Sequence, residues 1–169
     1  MEDRQARFED LYETCSPDIA MYALRRSDRE TAQDIVAETF TIAWRRFDDV
    51  PREPLPWLYG VARRVLANQR RSARRLTVLR QKLAPNPDNA PELADPELGA
   101  AFRELPEIDR EILALVAWEG LRPSEAAVVL ECTSTAARLR LHRARNRLAS
   151  ALGLPTSDVV PQQVVEEVS

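Results

Sequence analysis

The chain has little of what most catalytic and membrane sites are built from. Its 169 residues include one histidine, two cysteines and four glycines. So few glycines leave no glycine-rich phosphate loop. The single histidine, His142, has no nucleophile or acid near it in sequence. No catalysis, cofactor or metal site is expected. Cys15 and Cys132 lie far apart without metal-ligand spacing, which suits a reduced, cytoplasmic protein. No apolar run approaches the roughly 20 residues that a membrane span needs. The opening MEDRQARFED lacks the apolar core of a signal peptide. Strand-like alternation and internal repeats are also missing.

Charge and proline are plentiful. Charged residues make up 30% of the chain, and there are 12 prolines. This composition predicts a soluble, mostly helical protein with proline-punctuated joints. The net charge of −3 argues against a nucleic-acid partner when taken as an average. The average misleads, because charge is segregated. Residues 60–82 hold Arg63, Arg64, Arg70, Arg71, Arg74, Arg75, Arg80 and Lys82 and no acid. Residues 83–99 hold Asp88, Glu92, Asp95 and Glu97 and no base. The stretch 133–152 carries Arg138, Arg140, Arg143, Arg145 and Arg147 and again no acid. Local fields of this kind, not net charge, steer polyanions.

Apolar spacing organises the chain into helices. A first helix is expected over 7–26, bent or divided by Pro17. A second, over about 29–47, has Ser27-Asp28 as its N-terminal cap. Its buried face is Ala32, Ile35, Val36, Phe40, Ala43, Trp44 and Phe47. A third runs over about 56–82, with Trp57, Leu58, Val61, Val65 and Leu66 inward. Four prolines and several acids make 83–96 a flexible linker. Extended at about 3.3 Å per residue, the span from Arg80 to Pro96 reaches on the order of 50 Å. That exceeds one turn of B-DNA, about 34 Å. Helices over 97–105, 107–119, 123–130 and 134–152 form a second bundle. The tail 153–169 is expected to be mobile. The fold class is thus all-α: two small helical bundles joined by a flexible linker, the second containing a helix-turn-helix.

The last two helices, broken by Glu131-Cys132-Thr133, have the pattern of a helix-turn-helix DNA reader. Taking about 100° per residue, Ala137, Leu141, Ala144 and Leu148 face the bundle. Thr135, Leu139, His142 and Asn146 face away. Arg138 and Arg145 flank one side, and Arg140, Arg143 and Arg147 the other, placed for phosphates. Ser134, Thr135, Arg138, Leu139 and His142 are placed for base edges, with Arg138 suited to guanine and an outward Leu139 to a thymine methyl. A solvated arginine-rich helix is the competing reading.

The other basic helix presents Arg63, Arg64, Asn68, Arg71 and Arg75, with Tyr59 near their start. Cations beside an aromatic suit single-stranded or melted DNA, and a solvated basic face is the competing reading. Glu30, Asp34 and Glu38, with Thr41, line the outer face of the second helix. No histidine or cysteine accompanies them, so a solvated face or a docking surface for a basic partner is preferred over a metal site.

Together these residues resemble the bacterial RNA polymerase sigma factors of the extracytoplasmic-function (ECF) type. The resemblance spans about 8–152. FEDLY (8–12) is similar to the opening of the family's second conserved region. AQDIVAETF (32–40) with Ala43-Trp44 resembles its core-binding signature, and PWLYGVAR (56–63) the helix that handles the −10 element. LPE (105–107) through REIL (110–113) resembles the start of the fourth region, and 121–148 its −35 reader. The resemblance implies a non-enzymatic promoter-specificity factor, with 1–82 and 97–152 as its two working domains. Its implied partners are core RNA polymerase, through the β′ clamp helices and the β flap, and promoter DNA. An anti-sigma factor is a further partner that the family admits. The implied sites are Glu30, Asp34, Glu38 and Thr41 for core polymerase, and Tyr59, Arg63, Arg64, Asn68, Arg71 and Arg75 for −10 DNA. For −35 DNA they are Ser134, Thr135, Arg138, Leu139, His142, Arg143 and Arg145. The chain departs from the family pattern at Ala37, Arg64, Asn68, Glu131 and Ala136. Glu131 replaces the usual turn glycine, where a left-handed backbone costs about 1 kcal/mol. A stand-alone helix-turn-helix regulator is the alternative function, and it leaves the basic helix after Trp57 unexplained.

Overall fold

The computed structural model describes residues 2–80 and 93–156, with side chains in those ranges except at 2 and 77–80. The described residues form seven α-helices and one short 3-10 turn, with no strand. The all-α expectation holds. The chain divides into two compact units, Met1–Pro91 and Glu92–Ser169. Most of the acidic linker and the tail beyond 156 lie outside the described residues.

The first unit packs α1 (Glu2–Leu24), α2 (Arg29–Arg45) and α3 (Pro54–Arg80) against one another. The α1 helix is continuous, with Pro17 inside it rather than dividing it. Pro17 and the residue four before it, Glu13, are both exposed. The carbonyl that loses its helical donor can therefore be satisfied by water. Asp28 starts α2 as expected, accepting from the Thr31 amide at 2.9 Å and the Thr31 hydroxyl at 2.8 Å. These bonds hold the Asp28 carboxyl below the ordinary carboxylate range. The α3 helix begins at Pro54, two residues earlier than expected. A first-turn proline needs no amide partner, so both Pro54 and Pro56 fit there.

Leu11, Cys15, Ile19 and Tyr22 of α1 meet Ala32, Ile35, Phe40 and Ala43 of α2 and Leu58, Ala62, Val65 and Leu66 of α3 in the core. Burial of the Cys15 thiol, reinforced by Asp18 and Asp10, pushes its pKa up, which suits a packing role.

The second unit contains α4 (Pro96–Glu104), α5 (Glu107–Ala117), α6 (Pro123–Val129) and α7 (Ser134–Ala151). Asp95 caps α4 through the amides of Glu97 and Leu98. Glu125 accepts from the Arg122 amide at 2.7 Å and its guanidinium at 2.9 Å, fixing the start of α6. Those contacts, the guanidinium first, hold its carboxyl below the ordinary range. Ile112, Leu115, Ala126, Val129, Ala137, Leu141 and Ala144 are buried between α5, α6 and α7.

The turn between α6 and α7 is a Schellman cap. The Cys132 amide donates to the Ala127 carbonyl at 3.0 Å, and the Glu131 amide to Val128 at 3.3 Å. This geometry requires a left-handed residue, and Glu131 supplies it at φ 54°. The same cap closes α7, where Leu154 donates to Ala149 at 2.8 Å and Gly153 takes φ 67°. One motif is thus built once with glycine and once with glutamate.

Candidate nucleic-acid and docking surfaces

In α7 the five arginines fall into two groups. Arg138, Arg143 and Arg145 are exposed, with no hydrogen-bond or ion-pair partner among the described residues. Arg140 and Arg147, seven residues apart, share one edge of the helix. Both are engaged: Arg140 reaches the Cys132 sulfur at 3.9 Å, and Arg147 forms a close ion pair with Asp109 of α5. Asp109 is only 2% exposed. The expectation that all flanking arginines are placed for phosphates is therefore corrected at Arg147.

Thr133 accepts from the Ala136 amide at 3.1 Å, which fixes the start of α7. Thr135 is exposed near it, with Ser134 half-buried. Leu139 and His142 are half-buried, less outward than expected. His142 lies 3.3 Å from the Asn146 amide nitrogen, one turn on.

In α3, Arg64, Asn68, Arg71 and Arg75 are exposed and share one edge, while Arg63 is half-buried. Arg71 donates to the Asn68 side-chain oxygen at 3.2 Å. Tyr59 is a correction. It is 1% exposed and packs on Tyr22, with ring centroids 5.3 Å apart. Ala62 and Leu66, three and seven residues on, carry the signal that Tyr59 belongs to the core side. The aromatic on the cationic edge is Trp57, spaced 7, 11, 14 and 18 residues before Arg64, Asn68, Arg71 and Arg75. It is half-buried, not a core residue as its spacing suggested, and Arg46 lies 5.8 Å from its ring centre.

Glu30, Asp34, Glu38 and Thr41 are all exposed on α2. The Thr41 hydroxyl donates to the Ala37 carbonyl at 2.8 Å. Trp44, expected inside, is 41% exposed. It lines an open groove with Phe8 and Tyr12, alongside Gln5, Glu9 and Glu13. Thr39, absent from the expected apolar face, is fully buried. Among the described residues no acidic or histidine/cysteine cluster can hold a metal ion. No described helix is long and apolar enough to cross a membrane.

Two compact helical units, each with a cationic helix and one with a helix-turn-helix, define a class of helical DNA-binding protein. Comparison with known families fits this class. The model of sigma-70 region 2 matches residues 11–76, and that of sigma-70, region 4 matches 96–148. The chain is 29% identical over 144 residues to the ECF RNA polymerase sigma factor EcfG of Rhodopseudomonas palustris, covering 80% of each. It is 31% identical over 164 residues to the ECF RNA polymerase sigma factor SigD of Mycobacterium bovis, covering 86% of this chain and 76% of that one. The fold matches that of RpoE from Bartonella quintana, solved with the anti-sigma factor NepR, at a TM-score of 0.66. That likeness covers 87% of this chain and 97% of the other at 24% identity.

The chain belongs to the ECF sigma factors of bacterial RNA polymerase, and its function is to direct transcription initiation. The region 2 match accounts for the first unit, which a stand-alone regulator leaves without a role.

Proposed function

We propose that 1–82 docks on core RNA polymerase and captures the melted −10 strand, and that 97–152 reads duplex −35 DNA. The observation that carries this reading is the pairing of two cationic helices, on separate units, with matches to regions 2 and 4 in chain order. Glu30, Asp34, Glu38 and Thr41 form the exposed face offered to the basic side chains of the β′ clamp helices. Arg64, Asn68, Arg71 and Arg75, with Arg63 beside them, track the backbone of the opened strand. Trp57, rather than the buried Tyr59, supplies the stacking surface. Arg138 with Ser134, Thr135, Leu139 and His142 meets base edges, and Arg143 and Arg145 hold phosphates. The second unit also meets the β flap. The factor works in the cytoplasm and carries out no covalent chemistry of its own. An anti-sigma factor is proposed as its regulator, on the ground that the Bartonella structure of matching fold was captured with one.

The test is co-purification with core polymerase followed by sequencing of the transcripts it starts. Transcripts sharing −10 and −35 elements are expected. A protein that binds duplex DNA tightly in a gel shift without polymerase, and yields no promoter-dependent transcript, overturns the reading.

A further inference from the structure

We infer that Asp109 and Arg147 act as a positioning brace for the reading helix, and that Arg147 is not a phosphate contact. This inference rests on the proposal that α7 reads the −35 element.

Spacing along α7 gives Arg147 the same standing as Arg140 and Arg143, on one flank of the helix. The structure separates them. Arg143 is exposed and unengaged among the described residues, whereas the Arg147 guanidinium is turned back onto α5. The Asp109 side chain is 3% exposed, while that of Arg147 is 55% exposed. A carboxylate so far from water requires a cation or a donor. Arg147 is the cation the structure gives it.

The pair lies 38 residues apart in sequence and joins the fourth turn of α7 to the first turn of α5. At the other end, the Thr133 cap and the Arg140–Cys132 contact fix α7 to the turn. Between them the helix is held along its length and about its axis. The buried stripe alone is a poor lock, because three of its members are Ala137, Ala144 and the half-buried Leu148. Small side chains leave rotation and sliding weakly opposed. A reader whose specificity depends on hydrogen-bond geometry at base edges needs that rotation fixed.

The test uses the full chain assembled with core polymerase, measuring promoter binding against salt and against −35 base changes. Neutralising a phosphate contact lowers the slope of log K against log salt by about 0.9. Arg143→Gln is expected to do so. The double variant Asp109→Asn/Arg147→Gln is expected to leave the slope unchanged. Its discrimination between the preferred −35 sequence and single-base variants should fall roughly tenfold, the worth of one well-made base contact. The double variant leaves no lone buried charge, so it retains its fold, checked by circular dichroism. Arg147→Lys, which keeps the cation, should restore most of the discrimination. A slope lowered by about 0.9 in the double variant makes Arg147 a phosphate contact and overturns the inference. Unchanged discrimination in the double variant overturns it as well. If the unsubstituted holoenzyme itself ignores −35 base changes, the assignment of α7 as the −35 reader is what fails.

Discussion

The α3 and α7 helices are both rich in arginine, yet they hold their arginines in different ways. In α3, Arg70 donates at 3.1 Å to the Arg26 carbonyl, two residues beyond α1. That contact is to neutral backbone, and Arg64, Asn68, Arg71 and Arg75 line an exposed edge. In α7 the anchor is a buried carboxylate, and a capped, tightly turned corner fixes the other end. An exposed row of cations suits a flexible strand whose path varies. A helix locked in rotation suits duplex base edges, whose geometry does not vary. On the proposed assignment two arginine-rich helices, with seven arginines in α3 and five in α7, meet two kinds of DNA, and the difference lies in what restrains the charge.

On the proposed assignment the named polymerase-docking residues all lie in the first unit, and reversing that face should give the largest effect. Asp34→Arg with Glu38→Arg is expected to weaken capture of core polymerase by more than roughly hundredfold, through like-charge contacts. Thermal melting should be unchanged, since both side chains are exposed. Unimpaired co-purification would remove the docking role from this face. Next comes the duplex reader. Arg138→Ala should cost roughly 1–3 kcal/mol in holoenzyme binding and relax one base position. Arg71→Ala in α3 should instead weaken binding about equally for all sequences. A uniform loss for Arg138 as well would erase the contrast between the helices.

The two Schellman corners offer a smaller, purely structural comparison. Glu131→Gly should raise stability by about 1 kcal/mol, and Gly153→Ala lower it by a similar amount, read by denaturant titration. The smallest effect concerns Asp28. Its folded-state pKa is depressed by the Thr31 amide and hydroxyl. Its stabilising contribution is therefore complete above the unfolded carboxylate range and is lost as pH falls through the folded value. An Asp28→Asn protein should show a flatter dependence of melting temperature on pH below about pH 5 than the parent. Identical pH curves would show that the cap does not titrate.

Most of the fold was legible because helical signals are local. Asp28 marked a helix start by side-chain chemistry, and the left-handed corner at Glu131 was implied by the family resemblance. What escaped depends on tertiary partners. Tyr59 and Trp57 exchanged roles because two apolar edges adjoin on α3, and only Tyr22 opposite decides which is inside. Trp44 stayed partly outside, edge-on to Phe8 of α1 in an open groove, while Thr39 went in. Arg147 resembled its neighbours until Asp109, distant in sequence, was brought beside it.

The left-handed Glu131 has a dynamic consequence. Backbone strain at a corner is released when that corner opens, so it lowers the free energy of local opening there. The hydrogen-bonded amides of Glu131 and Cys132 should exchange with solvent sooner than those at the centre of α7. Glu131→Gly should slow them. The corner between α6 and α7 is thus expected to open locally while α7 itself stays packed through its buried stripe and the Asp109–Arg147 pair.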